Sequence, residues 1–570
     1  MNKLVSPEPE AGLADSFRHP LIFDGRSTPV KAALFLVICL AWILPGLVGH
    51  DPWRNNEAVA FGVIHSMLRE GHWLLPTVAG VPSFDYPPLY HWVAAATAWL
   101  TSFALPMHDG ARLASGIFMA ITIYFVHKTA NRLLDARAGR IAVVLLLGCL
   151  GLLERAHEMN SEVAGLAGMA IALYGLTRLR ADPRRGGLVS ALGAGVMALS
   201  IGIVPALVVP LIALASQLFM RDLRNRDLTR GIVIMLVAMW PLLFWYPALL
   251  WFSGTWGNLD QPALLGDMLL GSPLFSRSAR HSFSFIYFIE VLPWFALPAL
   301  PLALWGWVTD RRKLTERVEL ALPLVAFVVI FIYFSCVREA RFIALFALLP
   351  PLALAGAHAL DRVPRGMARL VDSFSLLFFG LLAFAAWFYW TAALTGIPAT
   401  AARKVADQVP DFVLTFRVFP VAIALVLTTI WVYAVIRAHR NNRRALVNWA
   451  AGVTLIWVLV NALALPAFDH ARSYRTVANE LASVIPAGPR CVTGVGVGDA
   501  QRASFDYFTS LRLVSPAHPV ACNWLLSQGT RDRSPTIAGD WQLKWEGARP
   551  GDRVEKLRLY QRVKKTAAPQ

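Results

Sequence analysis

PPLYHWVAAATAWLTSFAL, residues 87–105, is the stretch whose reading decides the architecture. It is apolar, and a helix of about 20 such residues crosses a bilayer. Further apolar runs occupy 32–49, 111–131, 139–153, 163–179, 188–199, 202–219, 231–251, 285–307, 320–334, 342–360, 373–394, 419–436 and 446–465. Basic residues decide between two arrangements, because short cytoplasmic loops carry the excess of Lys and Arg. Suppose that 87–105 spans and the N-terminus is inside. The loops with Arg132, Arg137 and Arg140, with Arg180, Arg184 and Arg185, and with Arg221, Arg224 and Arg226 then face outward, as do those with Arg311, Arg312 and Lys313 and with Arg440, Arg443 and Arg444. If 87–105 does not span, all of them face the cytoplasm. The sequence therefore predicts an interfacial or re-entrant helix over 87–105, with Tyr90 and Trp92 at headgroup depth, and about thirteen crossings elsewhere.

This arrangement divides the chain into a cytoplasmic segment (1–31), a membrane domain (32–467) with a long first external loop (50–110), and an external tail (468–570), periplasmic in a bacterium. The runs 188–199 and 202–219 read as two short helices joined at a kink near Gly202 and Pro205. The tail reads as a small α/β domain: helices over 473–484 and 500–510, strands over 491–496, 520–526 and 556–560. The N-terminus is not a cleavable signal, since roughly thirty polar residues precede a first apolar run too long for one.

Composition agrees. Of 570 residues, 56% are hydrophobic and only 16% charged, which marks a polytopic helical membrane protein. The net charge of +17 sits mostly in loops beside apolar runs, where it sets orientation and meets anionic headgroups; no basic stripe interleaved with aromatics points to nucleic acid. Cys39, Cys149 and Cys336 lie in or beside apolar runs and read as small buried hydrophobes. Cys491 and Cys522 lie in the tail, where an oxidising compartment would permit a disulfide.

The external connections carry ionisable groups. Loop one holds Asp51, Arg54, Asn56, Glu57 and, after a helix over 59–69, Asp85 and Tyr86; loop two holds Arg155, His157, Glu158 and Glu162; later loops hold His281, Arg338, Glu339 and Arg341. Charges near lipid are costly, so such groups are expected to face a watered, protein-lined cavity. Carboxylates and imidazoles there suit a general base or a divalent metal, and arginines suit a phosphate. One acidic residue alone is ordinarily a solvated charge or a helix cap, Glu57 favours the start of the helix after it, and Arg338 and Arg341 suit headgroup anchoring. The functional reading rests on four external loops supplying both signs at similar depth.

Several strings resemble the GT-C glycosyltransferases, in the branch of protein O-mannosyltransferases and 4-amino-4-deoxy-L-arabinose (lipid A) transferases. They are DPWRNNEA, FGVIHSMLREGHWLLPTVAGVPSFDYPPLYHW, ARLASGIF, ERAHEMNSEVAGL and REARFIALFALLPPLAL. The resemblance covers nearly the whole chain. It implies transfer of a sugar from a polyprenyl phosphate to a lipid A-like glycolipid or other glycan on the periplasmic face of the inner membrane. It implies catalytic roles for Glu57, Glu162 and Asp85, with Arg54, Asn56, Tyr86, His157, His281, Arg338 and Arg341 binding substrate. No cofactor is implied beyond a candidate divalent metal. Expected partners are the donor, the acceptor and membrane lipids, and no nucleic acid.

The chain also departs from that family. Asn56-Glu57 stands where the family has Asp-Glu, Val59 where it often has Arg, Asp85-Tyr86 where it has Glu-Lys, and Glu162 where it has Asp. A second reading is therefore a catalytically silent relative that binds lipid-linked sugar. A third, a lipid or sugar transporter, fits less well, because the polar residues gather on one face and no inverted repeat is evident.

Overall fold

A computed structural model describes residues 29–53, 56–220, 226–257, 259, 262–271, 285–336, 342–437, 442–486, 491–515, 522–533, 535–537 and 539–563. Among these, six helices are long and apolar enough to cross a membrane: Met107–Leu133, Arg226–Phe252, Val318–Cys336, Arg365–Thr395, Val418–Arg437 and the continuous stretch Arg443–Val484. The run 285–307, read as one span, is two helices, Phe285–Phe295 and Ala299–Thr309, meeting at 102°. Pro298 lies at the bend, where it can neither donate to nor continue the first helix. The run 342–360 likewise starts as a tighter 3₁₀ turn, Phe342–Leu348, before Leu349–Ala359. The kink expected near Gly202 is present: Pro183–Ile201 ends there, and Ile203–Ala206 and Val208–Phe219 follow.

Residues 87–105 form one helix of 12 residues, Leu89–Leu100. At 1.5 Å per residue it reaches about 18 Å, well short of a bilayer core. Pro87 and Pro88 precede it and Thr101 follows. Its tip exposes Trp99, Leu100 and Phe103. Its inner side packs on Met107–Leu133 so closely that a Cβ on Gly110 would lie 2.4 Å from the Thr101 hydroxyl. Tyr90 faces protein rather than lipid or water. It is fully buried and its hydroxyl bonds Ser115 Oγ at 2.8 Å, because this face of the helix turns toward protein.

Two packing regimes divide the bundle. In the N-terminal half, Ser161–Leu176 and Pro183–Ile201 approach so nearly that a Cβ on Gly193 would sit 2.4 Å from the Ala172 nitrogen. Small residues permit this contact, which drives helix association where lipid is as apolar as any side chain. In the C-terminal half, Leu370, Phe384, Phe419 and Ile436 are exposed, and only 6% of the apolar window of Val418–Arg437 is buried. Such a continuous apolar surface is tolerable against lipid and not against water.

Helix Leu465–Arg472 runs through the boundary placed at 467/468, and a separate core begins at Val477. That core packs Val477, Leu481 and Phe505 from helices Arg475–Val484 and Asp499–Thr509 against Leu526, Leu557 and Leu559 from a sheet. After a short hairpin in the first loop (β1 Thr77–Val78, β2 Val81–Pro82), the sheet strands are β3 Val492–Val495, β4 Leu513–Val514, β5 Trp524–Thr530, β6 Trp541–Gly547 and β7 Glu555–Arg562. Their order is β4-β3-β5-β7-β6, with β3 parallel to both neighbours and β7 antiparallel to both of its own. Two of these strands were not expected: β4 is only two residues long, and β6 was overlooked although Trp541 to Glu546 alternate apolar and polar. Cys491 and Cys522 are disulfide-bonded, joining the residues just before β3 and β5.

Candidate active site

Helix Asn56–Glu70 starts the site, and its first two residues part company. Successive residues on a helix point about 100° apart. Asn56 is exposed and lines a cleft; Glu57, expected to be catalytic, is 3% exposed and turns into the protein. The Glu57 carboxylate accepts from Arg112 Nε at 2.8 Å and from the Trp53 amide at 2.9 Å. Burial pushes its pKa up, but the charges of Arg112 and His50 and these hydrogen bonds outweigh it and hold it below the usual carboxylate range. Glu57 is thus an ionised structural anchor, withdrawn from ligand.

Arg112 was not anticipated. Its guanidinium is completely buried and also binds Asp109 at 2.9 Å and the carbonyls of Leu47 and His50 at 3.3 and 3.2 Å. It ties the start of the first loop to the membrane helices. The signal was in the sequence: an arginine inside an apolar run costs too much to be idle.

The cleft has a volume of about 80 Å³. Asn56, Asp85, Tyr86, His91, Asn160 and Ser161 supply its polar wall, and Val59, Val63 and Met159 its apolar one. Four segments meet there: the helix from Asn56, the turn before Pro87, the helix from Leu89, and the start of Ser161–Leu176. Asn160 caps that last helix, its Oδ1 accepting from the Glu162 amide at 2.8 Å. The Tyr86 hydroxyl donates to Glu162 Oε1 at 3.4 Å, so Glu162 reaches the cleft through Tyr86. Of the predicted site residues, the structure brings together Asn56, Asp85, Tyr86 and, at one remove, Glu162. His91, Asn160 and Ser161 were missed, because nothing distinguishes them in sequence from ordinary helix and cap residues.

His157 does not join them. It is buried between the rings of Trp42 and Trp457, with its two ring nitrogens against the carbonyls of Leu153 and Trp42 at 2.7 and 2.9 Å. Burial pushes it down to about 4, so it is a neutral packing residue. Beside it, burial first and the Glu57 charge second push Glu158 up to about 7, against the pull of Arg155 at 2.7 Å. Arg54, His281, Arg338 and Arg341 lie outside the described residues. Among the described residues, no three of His, Cys, Asp and Glu gather in a group that would hold a metal ion.

A second cavity, of about 450 Å³, opens between the first loop and the α/β domain, lined by Asp51, His108, Asp109, Asp469 and Arg475 among others. Asp51 accepts from Arg475 Nε at 2.8 Å and from the Ser473 hydroxyl at 2.7 Å. Burial raises its pKa, but these two hydrogen bonds bring it below the usual value.

The model of the dolichyl-phosphate-mannose-protein mannosyltransferase family matches residues 85–251. The undecaprenyl phosphate-alpha-4-amino-4-deoxy-L-arabinose arabinosyl transferase of Pseudomonas paraeruginosa is 26% identical over 460 residues, 75% of this chain and 74% of its own length. That of Serratia proteamaculans is 25% identical over 453 residues, 76% of each. The crystal structure of ArnT from Cupriavidus metallidurans bound to undecaprenyl phosphate superposes with a TM-score of 0.67 at 18% identity, covering 95% of this chain and 100% of that one. The fold is therefore shared along almost the whole length. The chain thus shares its fold with ArnT and is similar in sequence to the protein mannosyltransferases over residues 85–251 and to the 4-amino-4-deoxy-L-arabinose transferases along three quarters of its length.

Proposed function

We propose that the protein transfers a sugar from a polyprenyl-phosphate carrier to an envelope acceptor, a lipid A-like glycolipid or another glycan, at the periplasmic face. One observation carries the reading: a polar cleft with a carboxylate in its wall, built from four segments beside an apolar helix bundle. The relatives are named for an undecaprenyl-phosphate donor, and a structure with the same fold holds undecaprenyl phosphate. Polyprenyl chains need an apolar surface, and exposed side chains such as Leu370, Phe384 and Phe419 offer one. The Cys491–Cys522 bond supports an external α/β domain, because such bonds persist in oxidising compartments. An external tail goes with a cytoplasmic N-terminus and the crossings set out above.

In this reading an acceptor oxygen attacks the anomeric carbon, the carbon–oxygen bond to the lipid phosphate breaks, and polyprenyl phosphate leaves with the bonding pair. In-line attack inverts the anomeric centre. Asp85 takes the proton if the acceptor is a hydroxyl; a phosphate acceptor is already ionised and needs no base. Tyr86, steadied by Glu162, lines the approach. Arg54, His281, Arg338 and Arg341 are the proposed phosphate contacts. The test is transfer of labelled sugar from polyprenyl phosphate by the purified full-length protein, joined to mass spectrometry of envelope glycans with and without the gene. Asp85→Asn is expected to slow transfer to a hydroxyl acceptor about 100-fold at unchanged thermal stability.

Asn56 favours a second reading. It lines the cleft where the family pattern places an aspartate, so the cleft has lost one anionic group. A silent relative would bind the lipid-linked sugar, transfer it to no acceptor, and leave envelope glycans unchanged on deletion.

A further inference from the structure

The cleft wall holds two buried polar side chains with hydrogen-bonding capacity left over: Ser161, and His91, whose ring already meets the Pro87 carbonyl. His91 is 3% exposed and Ser161 2%, and both line the cleft. His91 Nδ1 and Ser161 Oγ lack a hydrogen-bond partner among the described residues. Leaving one buried polar atom unpaired costs stability, and native proteins keep few. Such atoms occur elsewhere in the chain as well, but these two share the wall of one small cleft from two different helices. They are expected if a ligand completes them.

The chemistry of the wall narrows that ligand. Asn56, Asn160, Ser161 and Tyr86 are neutral hydrogen-bonding groups, and His91 is held neutral by burial. None carries the positive charge that a phosphate recruits. Neutral donors and acceptors beside a single carboxylate, Asp85, suit hydroxyls on a small ring. Val59, Val63 and Met159 give that ring an apolar face to rest on.

We infer that His91 and Ser161 are specificity residues for the sugar itself: each bonds a hydroxyl or ring oxygen of the glycosyl group, while the carrier phosphate is held elsewhere. The inference rests on the reading of the protein as a binder of lipid-linked sugar, and it adds which atoms tell one sugar from another. A site built around such bonds rejects a sugar that lacks the matching group, because its own buried atoms are then left unpaired.

The experiment compares two probes on the full-length protein in detergent: polyprenyl phosphate, and the same lipid carrying a pentose or hexose. The readouts are their dissociation constants and the thermal midpoint of the ligand-free protein. In the wild type the glycosylated lipid is expected to bind more tightly than the bare one. In Ser161→Ala and in His91→Leu that advantage falls about tenfold, the worth of one such hydrogen bond, while bare polyprenyl phosphate binds as before. The ligand-free midpoint of Ser161→Ala stays level or rises, since an unsatisfied atom has been removed; a serine with only a structural role would lower it.

The inference is overturned if the wild type gains nothing from the sugar, if the gain survives in Ser161→Ala, or if both probes weaken together. Should His91→Leu fail to fold, Ser161→Ala decides alone. A sugar-dependent gain that Ser161→Ala abolishes, in a protein that transfers to no acceptor, supports the inference and defeats the proposed transfer. Transfer by a wild type whose affinity ignores the sugar does the reverse.

Discussion

The two cavities differ in a way their size hides. The one at the α/β domain is the larger, about 450 Å³ against about 80 Å³. Its charged groups are largely committed: Asp51 to Arg475 and Ser473, Asp109 to Arg112 and the Gly49 amide, Asp469 to the Asp51 amide and the Trp53 indole. The smaller cleft leaves Ser161 Oγ and His91 Nδ1 open. A junction consumes its hydrogen-bonding capacity in holding elements together; a site keeps some in reserve. Chemistry therefore favours the smaller opening, and substitutions should divide along the same line.

The largest effect is expected where the committed network is cut at its centre. Arg112→Met leaves Glu57 and Asp109 buried without their cation. Removing one partner of a buried pair costs about 3–5 kcal/mol, enough to unfold a marginal protein. The expected outcome is loss of folded protein by size exclusion in detergent. Adding Glu57→Gln and Asp109→Asn should recover part of it, because the orphaned charges go too. If Arg112→Met folds normally and fails only in donor binding, the guanidinium belongs to the site and the division drawn here is wrong.

A smaller loss is expected at the edge of the same network. Arg475 holds Asp51 from the α/β domain but is 51% exposed, so water already screens it. Arg475→Met should cost about 1 kcal/mol, seen as a lower thermal midpoint, and loosen the α/β domain from the first loop. Affinity for polyprenyl phosphate should hold within about threefold, since this variant leaves the cleft untouched and loses less than a full hydrogen bond's worth. A collapse of donor affinity at unchanged midpoint would make the larger cavity part of the substrate path.

The same contrast explains what the sequence disclosed. Apolar runs and basic loops report on the bilayer, a uniform solvent that acts on every segment alike, so the apolar helices and the shortness of the one at 87–105 were legible, while six described helices are long and apolar enough to span against about thirteen crossings expected. The broken helix at Pro298 was less so, because a proline inside an apolar run can bend a helix or end it. In the site, residue type revealed charge but not direction. Asn56 and Glu57 are neighbours in sequence and face different surroundings. His157 carries catalytic chemistry yet serves as packing between two tryptophans. Which side chains remain available depends largely on distant segments, from 55 residues apart for Glu57 and Arg112 to 424 for Asp51 and Arg475, and no local pattern encodes that.

Glu158 stands between the two regimes, and its pH response shows to which it belongs. It precedes Met159, Asn160 and Ser161 of the cleft, while the Glu57 charge of the committed network helps to raise it to about 7. An ordinary glutamate titrates near 4.5. The folded protein therefore holds this proton more tightly than the unfolded chain does. Stability from this group is highest below about pH 4.5, declines as pH rises toward 7, and the penalty is complete above that. Glu158→Gln, which cannot ionise, should raise the thermal midpoint at pH 8 and leave it unchanged near pH 5, with a gain of about 1 kcal/mol after the lost Arg155 contact is set against the relief. A destabilised variant at pH 8 would mean that the Arg155 bond outweighs burial, and Glu158 would then belong with the committed charges. The expected sign makes it instead a carboxyl held near neutrality beside the cleft, bearing a charge the fold would be more stable without.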